Sequence, residues 1–187
     1  KQPDKPRLGF IGHMDHRLDF KLLNFLVVNH PEWAFEFSGS LHETGDADAQ
    51  KLVNKQIKYL GKFANVFLTG AIDKSQLAEK IQTFSVCLIP YDTQYEHVRL
   101  ANPMKAYEYL ALGRPVVATD ILPLSEIGSP VIRLTDNRKM FEKYIKDYLF
   151  NWSVRLAAQA RLVAQKHSWD NKIAQIEKVL FRTWPRT

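Results

Sequence analysis

The chain has 187 residues, 45% of them apolar and 25% charged, with a net charge of +6. That length suits one domain with a full core, and no run approaches the roughly 20 apolar residues of a membrane span. A single cysteine, Cys87, excludes a disulfide framework and a cysteine-built zinc site, and it favours a reducing compartment. The basic residues are scattered, densest over 138–146 and 155–166, where they read as solvated helix faces. Attraction to an anionic substrate or an acidic membrane surface is the sharper alternative. Neither zinc-finger spacing nor an RNP-type motif occurs, so no nucleic-acid partner is expected.

Residues 1–7, with Pro3 and Pro6, read as a linker in a chain cut from a longer protein, and residues 8–187 as one domain. Leu8–Gly12 is a short apolar run bounded by Pro6 and predicts a buried strand. Leu22, Leu23, Leu26 and Val27 share one face of a helix that His30-Pro31 stops. Ala34–Ser38 predicts the second strand, closed by Gly39, and a helix over roughly Ala49–Leu60 follows a polar stretch from Ser40 to Asp48. Asn65–Thr69, ended by Gly70, predicts the third strand, and Asp73 can cap a helix carrying Leu77, Ile81 and Phe84. Ser85–Ile89 is apolar throughout, as a strand covered on both faces must be.

A polar loop, Pro90–Ala101, leads to Asn102-Pro103, which predicts a helix with Asn102 as cap and Pro103 at the first position, running to Leu112 and stopped by Gly113. Pro115–Thr119 and Val131–Leu134 are strands five and six. Helices then cover about Arg138–Phe150 and Val154–Lys166, and a last one from about Ser168 carries Trp169, Ile173, Ile176 and Leu180 on one stripe. The expected fold is α/β: a doubly wound, Rossmann-like parallel six-stranded sheet with helices on both faces and a C-terminal helical tail.

Ligands of such sheets bind beyond the carboxyl ends of the strands, where strand order reverses. In the order 3-2-1-4-5-6 that points to the loops 12–17 and 90–102. The second loop opens a helix whose first amides lack internal partners and carry partial positive charge, a ready anion site. Lys105 in that first turn opposes the dipole unless it faces a phosphate, and Glu108, one turn on, could accept from two adjacent ribose hydroxyls. The plainer readings are a solvated lysine and a surface Lys105–Glu108 ion pair. In the first loop Gly12 permits close approach, while His13 and Arg17 could meet phosphate or sugar oxygens or simply serve the surface and the helix start.

The segment Asn102-Pro-Met-Lys-Ala-Tyr-Glu-Tyr-Leu-Ala-Leu-Gly-Arg-Pro-Val-Val-Ala-Thr-Asp120 resembles the signature of the C-terminal domain of GT-B glycosyltransferases of the family-4-like, group 1 type, Pro-x-Lys-x-x-Glu-Tyr-Leu-Ala-x-Gly-x-Pro-Val-Val. Leu8–Gly12, Asn65–Gly70, Ser85–Tyr91 and Ser168-Trp169 are similar to further family features in the same order, across nearly the whole chain. The resemblance implies a nucleoside diphosphate sugar as donor, with Glu108 on the ribose, Met104 and Lys105 with the helix tip on the diphosphate, and Gly70-Ala71-Ile72 on the base. It implies a missing N-terminal domain that holds a saccharide or glycolipid acceptor and any general base, and against which the tail helix packs. It also implies transfer without a metal or other cofactor, work in polysaccharide or glycoconjugate synthesis, and a cytoplasmic location, including the inner membrane face. Many relatives carry a second glutamate eight residues before the ribose-binding one; Leu100 stands there, with Glu96 nearby but out of register.

Rival readings are set against this. Gly9 and Gly12 alone do not make the Gly-x-Gly-x-x-Gly of a dehydrogenase, and no P-loop motif exists. His13, Asp15 and His16 resemble part of a hydrolase metal motif whose first histidine is replaced by Ile11. A non-catalytic nucleotide-binding or scaffolding module on the same fold is the remaining alternative.

Overall fold

The computed structural model describes residues 5–40, 46–128 and 130–183. Residues 1–4 of the expected linker, and part of the polar stretch before the second helix, lie outside them. Six strands form one sheet: β1 (Arg7–Ile11), β2 (Ala34–Ser38), β3 (Val66–Gly70), β4 (Val86–Ile89), β5 (Val116–Ala118) and β6 (Ile132–Leu134). Every pairing is parallel and the order is β3-β2-β1-β4-β5-β6, as the alternation of strands and helices predicts.

Parallel strands need crossovers, and helices supply them on both faces. α1 (Phe20–Asn29) starts where the Asp19 carboxylate accepts from the Leu22 amide at 2.9 Å. α2 (Ala47–Leu60) is capped by Asp46, α3 (Lys74–Gln82) follows Asp73, and α5 (Met104–Ala111) precedes β5. α7 (Arg138–Asn151) is capped by Asn137, α8 (Val154–Lys166) by Ser153, and α9 (Trp169–Thr183) ends the described chain. Two one-turn helices add to these: α4 (Glu96–Arg99) sits inside the stretch read as a polar loop, and α6 (Leu122–Ser125) lies between the fifth and sixth strands, where no element is predicted.

The core lies between sheet and helices. Phe10, Phe35, Phe37, Phe84, Tyr109 and Phe141 are fully buried, and every residue of β4 is buried. By contrast β3 is an edge strand, with Phe67 and Leu68 open to solvent. The α9 stripe Trp169, Ile173, Ile176 and Leu180 is also exposed. No described helix is long and apolar enough to cross a membrane.

One expected cap differs. Pro103, not Asn102, precedes the first turn of α5, and no side chain caps that turn. The Asn102 carboxamide oxygen instead accepts from the Tyr107 hydroxyl at 3.0 Å, so it is turned along the helix and away from its amides.

Candidate functional site

The loops after β1, β2 and β4 are tied together by main-chain hydrogen bonds. Gly12 N–H donates to the Ser38 carbonyl (2.9 Å), Gly39 N–H to Gly70 (2.7 Å), Asp19 N–H to Pro90 (2.8 Å) and Asp92 N–H to Arg17 (2.7 Å). The first two loops touch so closely that a β-carbon on Gly39 would collide with the Gly12 carbonyl. The Ile11 amide donates to the buried Tyr109 hydroxyl at 2.8 Å, which sets α5 against the end of β1. Strand ends, loops and the α5 tip are thereby held in one frame.

Between them lies a cavity of about 720 Å3 at the carboxyl edge, where strand order reverses. Of the residues the sequence singles out, Gly12, His13, Arg17, Ala71, Ile72, Met104, Lys105 and Glu108 line it. Gly70 stands behind the wall as acceptor for Gly39. Asn102 does not line it; it borders a separate depression with Tyr107, His167 and Lys172. Leu100, 53% exposed, and Glu96 also lie outside the cavity wall.

Lys105 is the unusual group. Its ammonium lies 3.9 Å from the centroid of the Phe10 ring and 5.2 Å from that of Tyr91, and it fills the space beside Gly12. Burial, with the nearby Arg17 charge as a second cause, pulls its pKa down to about 7. Among the described residues no carboxylate pairs with it, and the surface Lys105–Glu108 ion pair does not form. The first-turn amides of Met104 and Lys105 have no carbonyl to donate to within the helix. Cation and amides therefore converge at one helix tip.

Arg17 is held in place. Its Nε donates to both Asp15 carboxylate oxygens (2.9 and 3.0 Å), its Nη2 to Oδ2 (2.6 Å) and its own amide to Oδ1 (3.0 Å). Asp15 is only 1% exposed. Burial alone would raise its pKa, but these bonds outweigh it and the carboxyl titrates below its ordinary range. Arg17 also sits 5.7 Å from the Tyr91 ring. The metal reading of His13, Asp15 and His16 fails on this geometry. Asp15 is taken by Arg17, His13 Nδ1 lies 2.8 Å from the Ser40 hydroxyl, and the His16 ring lies beside those of Tyr95 and His97. Among the described residues no three His, Cys, Asp or Glu side chains cluster as a metal site would require.

Sequence reasoning missed Ser38, Gly39 and Ser40 at the end of β2, Lys74 and Leu77 of α3, and Tyr91 and Pro103. The carboxyl-edge rule, applied to β2 as it was to β1 and β4, would have found the first three. Lys74, a cation opening a helix, carries the same signal as Lys105.

A family model described as glycosyl transferases group 1 matches residues 5–147. A Bacillus subtilis protein assigned to teichuronic acid biosynthesis as a glycosyltransferase, TuaH, is 30% identical over 125 residues, covering 67% of this chain and 29% of its own length. Among solved structures, sucrose-phosphate synthase from Thermosynechococcus elongatus superposes with a TM-score of 0.74 at 21% identity, covering 96% of this chain and 46% of that one. Anabaena HepE in complex with UDP and glucose gives 0.65 at 16% identity, covering 93% and 47%. The chain thus spans under a third of the curated relative and about half of these structures. Its fold is the Rossmann-like fold they share, and the chain belongs to the glycosyl transferases group 1 family.

Proposed function

We propose that the chain is the donor-binding half of a glycosyltransferase, and that the cavity at the α5 tip takes a nucleoside diphosphate sugar. Lys105 carries this reading. An ammonium desolvated between two rings, with Asp15 and Glu108 acting on it only at a distance and no ion pair to it among the described residues, is costly to the fold, and a bound diphosphate supplies an anion in direct contact. The amides of Met104 and Lys105 donate to the same phosphates, with His13 and Arg17 beside them. Glu108, one helical turn on, accepts from the ribose hydroxyls, and the base lies toward Ala71 and Ile72. That HepE holds UDP and glucose on a similar fold supports the ligand class.

As the glycosidic bond breaks, the leaving diphosphate gains charge. Lys105 and the helix amides stabilise that charge from fixed positions in partly desolvated surroundings, so no further cofactor is invoked. The saccharide or glycolipid acceptor, and any general base, come from a further domain of the same polypeptide. The TuaH likeness favours a role in cell-surface polysaccharide synthesis. Thermal-shift screening against UDP-, GDP- and ADP-linked sugars tests the reading. One class should raise the melting temperature in the wild-type chain and fail to do so in Lys105→Ala; a flat response to every class would refute it.

A further inference from the structure

A second cavity, of about 740 Å3, lies at the opposite, amino edge of the sheet. Three cations, Lys5, Arg7 and Arg114, contribute to its wall, and among the described residues no carboxylate does. Arg7 is compensated by the buried Glu36 at 3.0 Å. Among the described residues the other two donate only to neutral oxygens, Lys5 to the Pro31 carbonyl at 2.8 Å and Arg114 through Nη2 to the Gln82 carbonyl. The Arg114 Nε–H is buried with no acceptor among the described residues. Leu149 and Trp152, from the α7–α8 corner, complete one side.

The same corner carries Phe150, 90% exposed, and Val154, 87% exposed; among the described residues the next most exposed large apolar side chain, Trp169, stands at 66%. Single exposed apolar residues are ordinary. Two nearly bare ones, on the corner that supplies Leu149 and Trp152 to a cation-lined cavity, bury almost no surface and are suited to an interface.

We propose that this amino-edge face docks on an anionic membrane surface. Lipid phosphates enter the cavity against Arg114 and Lys5, while Phe150 and Val154 sink into the headgroup boundary. Charge decides the occupant: the chain carries +6 overall, and the cavity presents donors and uncompensated cations. A bilayer offers phosphates next to an apolar layer, and this face pairs a cation-lined cavity with bare apolar side chains at its α7–α8 corner. The contact is peripheral, since no described helix can span a bilayer. The carboxyl-edge cavity lies at the other end of the strands and stays open while the protein is docked. The proposal is independent of the donor reading.

Co-sedimentation with vesicles tests it. The chain should pellet with an equal mixture of phosphatidylcholine and phosphatidylglycerol, not with phosphatidylcholine alone, and less as salt rises. Phe150→Ser with Val154→Ser, at side chains that support no packing, should weaken binding about tenfold, while Leu52→Ser, an exposed apolar residue of α2, should not. Arg114→Gln should weaken it too, with Lys5→Gln as a second variant if the first unfolds by circular dichroism. Three outcomes would each overturn the proposal: no preference for phosphatidylglycerol, wild-type binding by the Phe150/Val154 variant, or release by inorganic phosphate but not by chloride of equal ionic strength. The last would indicate a site for a soluble anion instead.

Discussion

The Lys105 ammonium occupies the space that a β-carbon on Gly12 would fill. Gly12 also has φ +141°, a conformation that side chains disfavour. Gly12→Ala should therefore cost about 1–3 kcal/mol and push the ammonium off its rings. Part of that cost comes from the collision and should disappear in Lys105→Ala, so the two substitutions should be non-additive in urea melts. Strict additivity would show that backbone strain alone is responsible.

A lysine with a pKa near 7 makes both stability and binding depend on pH. In the unfolded chain it keeps its proton to about 10.5, so between 7 and 10.5 the unfolded state binds more protons and stability rises with pH. Lys105→Met should lose that rise. A diphosphate reverses the shift by favouring the charged form. Binding should take up a proton above pH 7 and weaken by up to about tenfold per pH unit. Calorimetry in buffers of different ionisation heat measures the uptake, which Lys105→Met should abolish.

Asp15 positions Arg17 from a nearly dry site. Asp15→Asn leaves the guanidinium less compensated. Since Arg17 is partly solvated, the expected loss is about 1–3 kcal/mol in a denaturant melt. The folded-state pKa of Asp15 is depressed below 3.8, so its contribution is present above that value and is lost as pH falls through the folded pKa. The acid limb of stability should be shallower in Asp15→Asn.

The sheet was legible because each strand is a short apolar run closed by a glycine, a proline or a polar turn, and because parallel pairing leaves few orders open. Glu108 and Lys105 were legible because helical spacing puts them one turn apart at a helix start. Asn102 was misread as a cap: the sequence cannot show that the Tyr107 hydroxyl claims its side chain. The one-turn helices α4 and α6 are too short to carry a period. The ring cage around Lys105 and the exposure of the α9 stripe arise from how separate segments meet, which no local pattern records.

Donor binding at this site requires a diphosphate at the α5 tip with the ribose one turn deeper. The most direct measurement is calorimetric titration of UDP, GDP, ADP and inorganic pyrophosphate into the wild-type chain, Lys105→Ala and Glu108→Ala. At least one nucleoside diphosphate should bind saturably. Lys105→Ala should weaken both it and pyrophosphate about tenfold or more, and Glu108→Ala should weaken the nucleotide alone. Absence of saturation with every nucleoside diphosphate, or wild-type affinity in both variants, would contradict it.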